Sequence, residues 1–135
     1  MQDWEDIMSI APEFRKLTGF EHFFAAVRYS AGGAKRAWEE AAFRHEVLAF
    51  VVLLVIYFIL EAPLEIFGIA TGLFLLTIAV EALNTAIEEI VDRISPEFST
   101  TARHAKDLGS FAVFCLLALN GLLLGYSLLI KYLIW

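Results

Sequence analysis

Leu108–Ile130 is a run of 23 residues without a single charged side chain. As a helix it would be about 34 Å long at ~1.5 Å per residue, enough to cross the ~30 Å hydrocarbon core of a bilayer. A chain carrying such a run is expected to be an all-α membrane protein, because in lipid a helix satisfies its own backbone polar groups. Two shorter runs support this expectation. Ile66–Val80 has 15 uncharged residues and continues as an amphipathic helix to about Ile94. Val47–Leu60 has 14 and is extended by Ala41-Ala42-Phe43, with Arg44 and Glu46 placed to snorkel to the headgroups. The composition agrees: 59% of residues are hydrophobic and the mean hydropathy is +0.68.

Ahead of these spans, Phe14, Leu17, Phe20, Phe23, Phe24, Val27 and Ala31 recur every three or four residues with charges between them. This amphipathic pattern fits a helix lying in the membrane interface, with Gly32-Gly33 expected to break or kink it. The expected organisation is one membrane domain. It has an extension over 1–18, a surface helix over about 19–40, and spans over about 41–60, 63–94 and 105–133. Glu61-Ala62-Pro63-Leu64-Glu65 forms the turn between the first two spans. Ser95-Pro96-Glu97 reads as a helix cap followed by proline at a first helical position.

Six Lys/Arg precede Glu46 and three more lie in Arg93–Lys106, whereas residues 61–65 have none. The positive-inside rule therefore places the N-terminus and the 81–107 region in the cytoplasm. Asp3, Glu5 and Asp6 do not fit a cleavable signal peptide. A net charge of −6 and the lack of a basic tract argue against a nucleic-acid partner. Cys115, the single cysteine, excludes an internal disulfide and is expected to pack. Gly68-xxx-Gly72 and Gly121-xxx-Gly125 are candidate close helix contacts. There is no P-loop, GxSxG, HExxH or CxxC, and His22, His45 and His104 share no metal-ligand spacing.

Three polar clusters border the spans. Glu81, Asn84, Glu88 and Asp92 form one helical stripe at the end of the second span. Such groups at a membrane boundary call for a partner, and a cation with its bound phosphates is a good candidate. Glu39, Glu40, Phe43, Arg44 and Glu46 lie at the entry to the first span. A carboxylate from each cluster could meet at one Mg²⁺, which favours one or two carboxylates plus substrate phosphates. The plainer reading of Glu40 is an ion pair with Arg44. Arg103, His104, Lys106 and Asp107 precede the third span, where Lys106 could neutralise phosphate. Acidic ligands, a phosphate-neutralising lysine and an uncommitted carboxylate at a membrane surface suit phosphoryl transfer from a soluble nucleotide to a lipid hydroxyl.

At these residues the sequence resembles the bacterial integral-membrane diacylglycerol kinase family, which also contains the undecaprenol kinases. Glu81-Ala-Leu-Asn84-Thr85-Ala-Ile-Glu88-Glu89-Ile-Val-Asp92-Arg93 is similar to the family's central signature, and Ala105-Lys106-Asp107-Leu-Gly-Ser110 to its second block. Glu40-Ala-Ala-Phe43-Arg44-His-Glu46 resembles the entry of the diacylglycerol-using branch. The resemblance implies a surface helix and three spans assembled as a homotrimer, with active sites at subunit boundaries on the cytoplasmic face of the bacterial inner membrane. It implies Glu81 as catalytic base and Asn84 as orienting the site. It implies Glu40 and Glu88 as ligands of Mg²⁺ with ATP, and Tyr29, Lys106, Asp107 and Glu97 as nucleotide contacts. Phe43, Arg44, Glu46 and Ser110, with Glu81, would meet the lipid. The expected activity is ATP-dependent phosphorylation of the primary hydroxyl of diacylglycerol to phosphatidic acid. The alternatives are an undecaprenol kinase or, in another class, a non-catalytic membrane assembly or ion-pathway subunit.

Overall fold

The structure, a computed structural model, describes residues 19–95 and 99–134. Among them the chain forms four helices: α1 Phe20–Glu39, α2 Ala41–Ile59, α3 Leu64–Ile94 and α4 Thr100–Ile134. The last three are long and apolar enough to cross a membrane. α2, at 19 residues, matches one bilayer thickness; α3 and α4, at 31 and 35, run to about 46 and 52 Å. Both therefore exceed the hydrocarbon core by several turns.

Two compact units make up the chain, Met1–Gly32 and Gly33–Trp135. In the first, α1 opens at Gly19, whose φ of +60° suits glycine. Phe20, Phe23, Phe24, Val27 and Tyr29 are exposed. Of the break or kink expected at Gly32-Gly33, the break does not occur, since α1 runs through both. Glycine costs only about 1 kcal/mol against alanine in a helix, and Ala25, Ala26, Ala31, Ala34 and Ala37 offset it.

In the second unit, α3 and α4 pack as an antiparallel pair, with α2 more lightly against them. Polar contacts mark the register along the pair. Lys131 meets Glu61 at 2.8 Å at one end, Asn120 Nδ2 donates to Thr77 Oγ1 at 3.3 Å in the middle, and Lys106 meets Asp92 at the other end. Tyr57, Ile66 and Ala70 form the buried apolar cluster, flanked by Phe50, Leu53, Ala62, Phe67, Leu123 and Leu124. Phe50 and Phe74 stack at 4.0 Å between α2 and α3.

The turn after α2 is a Schellman closure. Ala62 N–H donates to the Tyr57 carbonyl and Glu61 N–H to that of Phe58, both at 3.0 Å. Glu61 sits in the left-handed region at φ 55°, where a Cβ is a cost of about 1 kcal/mol, and Pro63 then prevents the helix from resuming.

Several expectations need correction. α4 begins at Thr100 rather than near residue 105. Ser99 Oγ accepts the Ala102 N–H at 3.1 Å and so starts the helix before the charged residues 103–107. The helical turn expected at Pro96 lies outside the described residues, as do residues 1–18 of the extension. Cys115 does not pack inside the chain but is exposed. The two GxxxG pairs have nothing within 4 Å of where a Cβ would stand. In both cases a span that is apolar all round does not mark which face is covered.

Candidate active site

α3 places Glu81 and Asn84 one turn apart on its inner face, where they are 6% and 7% exposed. Glu81 lies about 26 Å along the helix from Leu64, close to the far edge of a ~30 Å hydrocarbon layer. Asn84 Nδ2 donates to Glu88 Oε1 at 3.2 Å, while its Oδ1 is buried without a hydrogen-bond partner. Glu88 is half-buried and Asp92 exposed, so the stripe runs from the interior outward at helical pitch. Glu88 and Glu40 are among the charged neighbours of Glu81.

Glu46 on α2 has Glu81 as its charged neighbour. It lines a cavity of about 40 Å³ with Phe50, Phe74, Thr77 and Asn120, and its Oε2 is buried without a partner. Instead of snorkelling outward, this carboxylate is half-buried within the bundle.

The corner between α1 and α2 differs from expectation. Glu40, the N-cap of α2, is extended at ψ 135°, and its carboxylate pairs back with Arg36 rather than with Arg44. Arg44 instead donates to the Trp38 and Glu39 carbonyls at 2.9 and 2.7 Å. It thereby caps the open C-terminal end of α1 from the first turn of α2. Phe43 is half-buried with its ring edge-on to Trp38 at 6.2 Å. Glu40 pairs with Arg36 at 2.6 Å, and the same guanidinium reaches Glu89 on α3 at 2.6 Å. Hydrogen bonds donated to Glu40 and then to Glu89 raise the Arg36 pKa further above its ordinary value, so it is a permanent cation here.

On α4, Lys106 faces α3 and pairs with Asp92, whereas Asp107 and Ser110 are exposed. Asp107 lies 3.7 Å from Arg103. Glu81, Asn84, Glu88, Glu46 and Glu40 are thus gathered, and Asp107 and Ser110 face away from them. Tyr29 is exposed in the first unit, with the Arg28 guanidinium 5.7 Å from its ring centroid. Glu97 lies outside the described residues.

Two participants escaped the sequence reading. Arg36 reaches Glu89, 53 positions away, a pairing that no local pattern announces. Gly109 stands directly against Asn84, and the glycine inside the lysine–aspartate block was the only available sign of it.

A family model for prokaryotic diacylglycerol kinase matches residues 28–129. The chain is 53% identical over 111 residues to a diacylglycerol kinase of Sinorhizobium sp, covering 82% of this chain and 81% of that relative. It is 39% identical over 112 residues to one of Haemophilus influenzae, covering 82% and 94%. It is 40% identical over 97 residues to one of Escherichia coli, covering 71% and 80%. With a family match across most of its length and relatives this similar, the chain belongs to the prokaryotic diacylglycerol kinase family.

Proposed function

We propose that this chain transfers the γ-phosphoryl group of ATP to the primary hydroxyl of diacylglycerol, giving phosphatidic acid and ADP, at the cytoplasmic edge of the bacterial inner membrane. Belonging to its family makes it a membrane enzyme, a kinase whose acceptor is diacylglycerol. The observation that carries the reading is the buried Glu81 carboxylate, one turn from the Asn84–Glu88 pair at the depth where a lipid hydroxyl meets water. Glu81 takes the hydroxyl proton as the new O–P bond forms and the bond from the γ-phosphorus to the bridging oxygen breaks.

Glu88 and Glu40 suit Mg²⁺. Among the described residues no three His, Cys, Asp or Glu converge to hold an ion unaided. One or two carboxylates completed by substrate phosphates is the mode Mg²⁺ favours. Bound there, the ion would supply charge neutralisation on the phosphates. Asn84 orients Glu88, and Glu40 is shared with Arg36. Lys106, Asp107, Tyr29 and Glu97 serve the nucleotide; Phe43, Arg44, Glu46 and Ser110 serve the lipid side.

The exposed apolar face of α1 suits the cytoplasmic interface, and the distribution of Lys and Arg supports that orientation. A homotrimer is part of the proposal. A second protomer offers Asp107 and Ser110, exposed on one chain, a way to face another chain's Glu81.

The test is phosphorylation of dioleoylglycerol by the purified chain with Mg-ATP, beside a C55 prenol. Glu81→Gln is expected to lower kcat about 10²- to 10⁴-fold with little change in the KM for ATP. Near-normal turnover of that variant would remove Glu81 as the base, and preference for the prenol would reassign the acceptor.

A further inference from the structure

The Ala105–Ser110 segment contains a glycine to which the reaction assigns no task. Gly109 lies within α4 with ordinary helical backbone, so no turn or positive φ requires a glycine there. What it provides is room. A Cβ at this position would overlap Asn84 Oδ1 and stand 3.0 Å from Asn84 Cγ. Each of the other seven glycines has nothing within 4 Å of its would-be Cβ. Asn84 is 7% exposed, so its carboxamide has little space in which to retreat. On its far side Nδ2 holds Glu88 Oε1 at 3.2 Å. The carboxamide is therefore set between the bare α4 backbone and the Glu88 carboxylate.

We propose that Gly109 is a positioning residue for the reaction. By leaving out a side chain, it lets Asn84 lie where its N–H reaches Glu88, and so fixes which Glu88 oxygen is left for the nucleotide-bound cation. This deepens the reading above and rests on Glu88 as a Mg²⁺ ligand. A methyl at 109 displaces the carboxamide and breaks the bond to Glu88. Alanine ordinarily favours a helix interior over glycine, so any harm from it here comes from contact, not from helix propensity.

The sequence has two asparagines, Asn84 and Asn120. Asparagine labelled with ¹⁵N thus gives two side-chain amide signals, one at the site and one in the middle of the bundle. In Gly109→Ala the Asn84 signal is expected to move while that of Asn120 stays. The half-saturating Mg²⁺ is expected to rise about fivefold, the loss of one ordinary hydrogen bond, with the KM for diacylglycerol unchanged. Gly121→Ala should change neither readout. In an Asn84→Ala background Gly109→Ala should add nothing. An unmoved Asn84 signal overturns the proposal. So does a moved signal with an unchanged Mg²⁺ titration, provided Glu88→Gln does alter that titration. If Glu88→Gln leaves it unchanged, the metal reading fails, and the amide signal alone decides whether Gly109 holds Asn84. Should Gly109→Ala not fold, the double variant with Asn84→Ala is expected to recover helical protein, and its failure to do so overturns the proposal.

Discussion

Arg36 shows how one side chain can set the charge state of a site without belonging to the reaction. It binds Glu40 and Glu89 through one guanidinium, 44% exposed, so the ion pairs contribute little to stability. Arg36→Gln is expected to leave the midpoint of an SDS titration in mixed micelles nearly unchanged. Because Glu40 would then be free for Mg²⁺, the half-saturating Mg²⁺ is expected to fall, by up to about fivefold. A rise would show that Arg36 holds Glu40 in place for the metal. The acidic stripe itself was legible in the sequence, because carboxylates beside an apolar run at three- and four-residue spacing admit few explanations. The partners were not. Arg36 and Glu89 are brought together by tertiary packing, and Arg44 exchanged an expected carboxylate for two carbonyls once the chain turned at Glu40.

At the scale of elements, the spans followed from charge-free length and the end of α3 from Ser95-Pro96. The start of α4 was misplaced because Ser99 lies among residues that are polar for other reasons. The turn after α2 offers a separable test. Glu61 holds a left-handed conformation while its carboxylate meets Lys131. Glu61→Gly loses the ion pair but relieves the backbone, whereas Glu61→Ala loses the ion pair and keeps the strain. The glycine variant is therefore expected to be the more stable of the two by about 1 kcal/mol, read by the same SDS titration. The hydrogen bond from Lys131, followed by its charge, lowers the Glu61 pKa in the folded protein. That contribution is present above the ordinary carboxylate value of about 4.3 and is lost as the pH falls through the lowered folded value. The difference in melting temperature between the unmodified chain and Glu61→Gln should accordingly shrink below pH ~4. A difference constant down to pH 2 would remove the linkage.

For the whole molecule, few side chains of the three spans are buried within one chain. Phe111, Phe114 and Cys115 on α4 face outward, as do Leu75, Leu76 and Leu83 on α3. Lipid or further copies must cover these surfaces. Periodicity could not divide them, since lipid and a neighbouring apolar helix ask for the same residues. Native mass spectrometry from mild detergent is expected to give three chains with kinase activity in that species; full activity in a monomeric fraction would refute the assembly.

A cation is built into the protein at the acidic corner, where Arg36 pairs with Glu40 and Glu89 and offsets one of their two charges. Loading with metal at Glu40 is then largely an exchange of one positive partner for another. Stripping the protein with EDTA should therefore abolish turnover yet leave its helical circular dichroism and melting temperature as they were. A collapse on chelation would mean that the metal is structural.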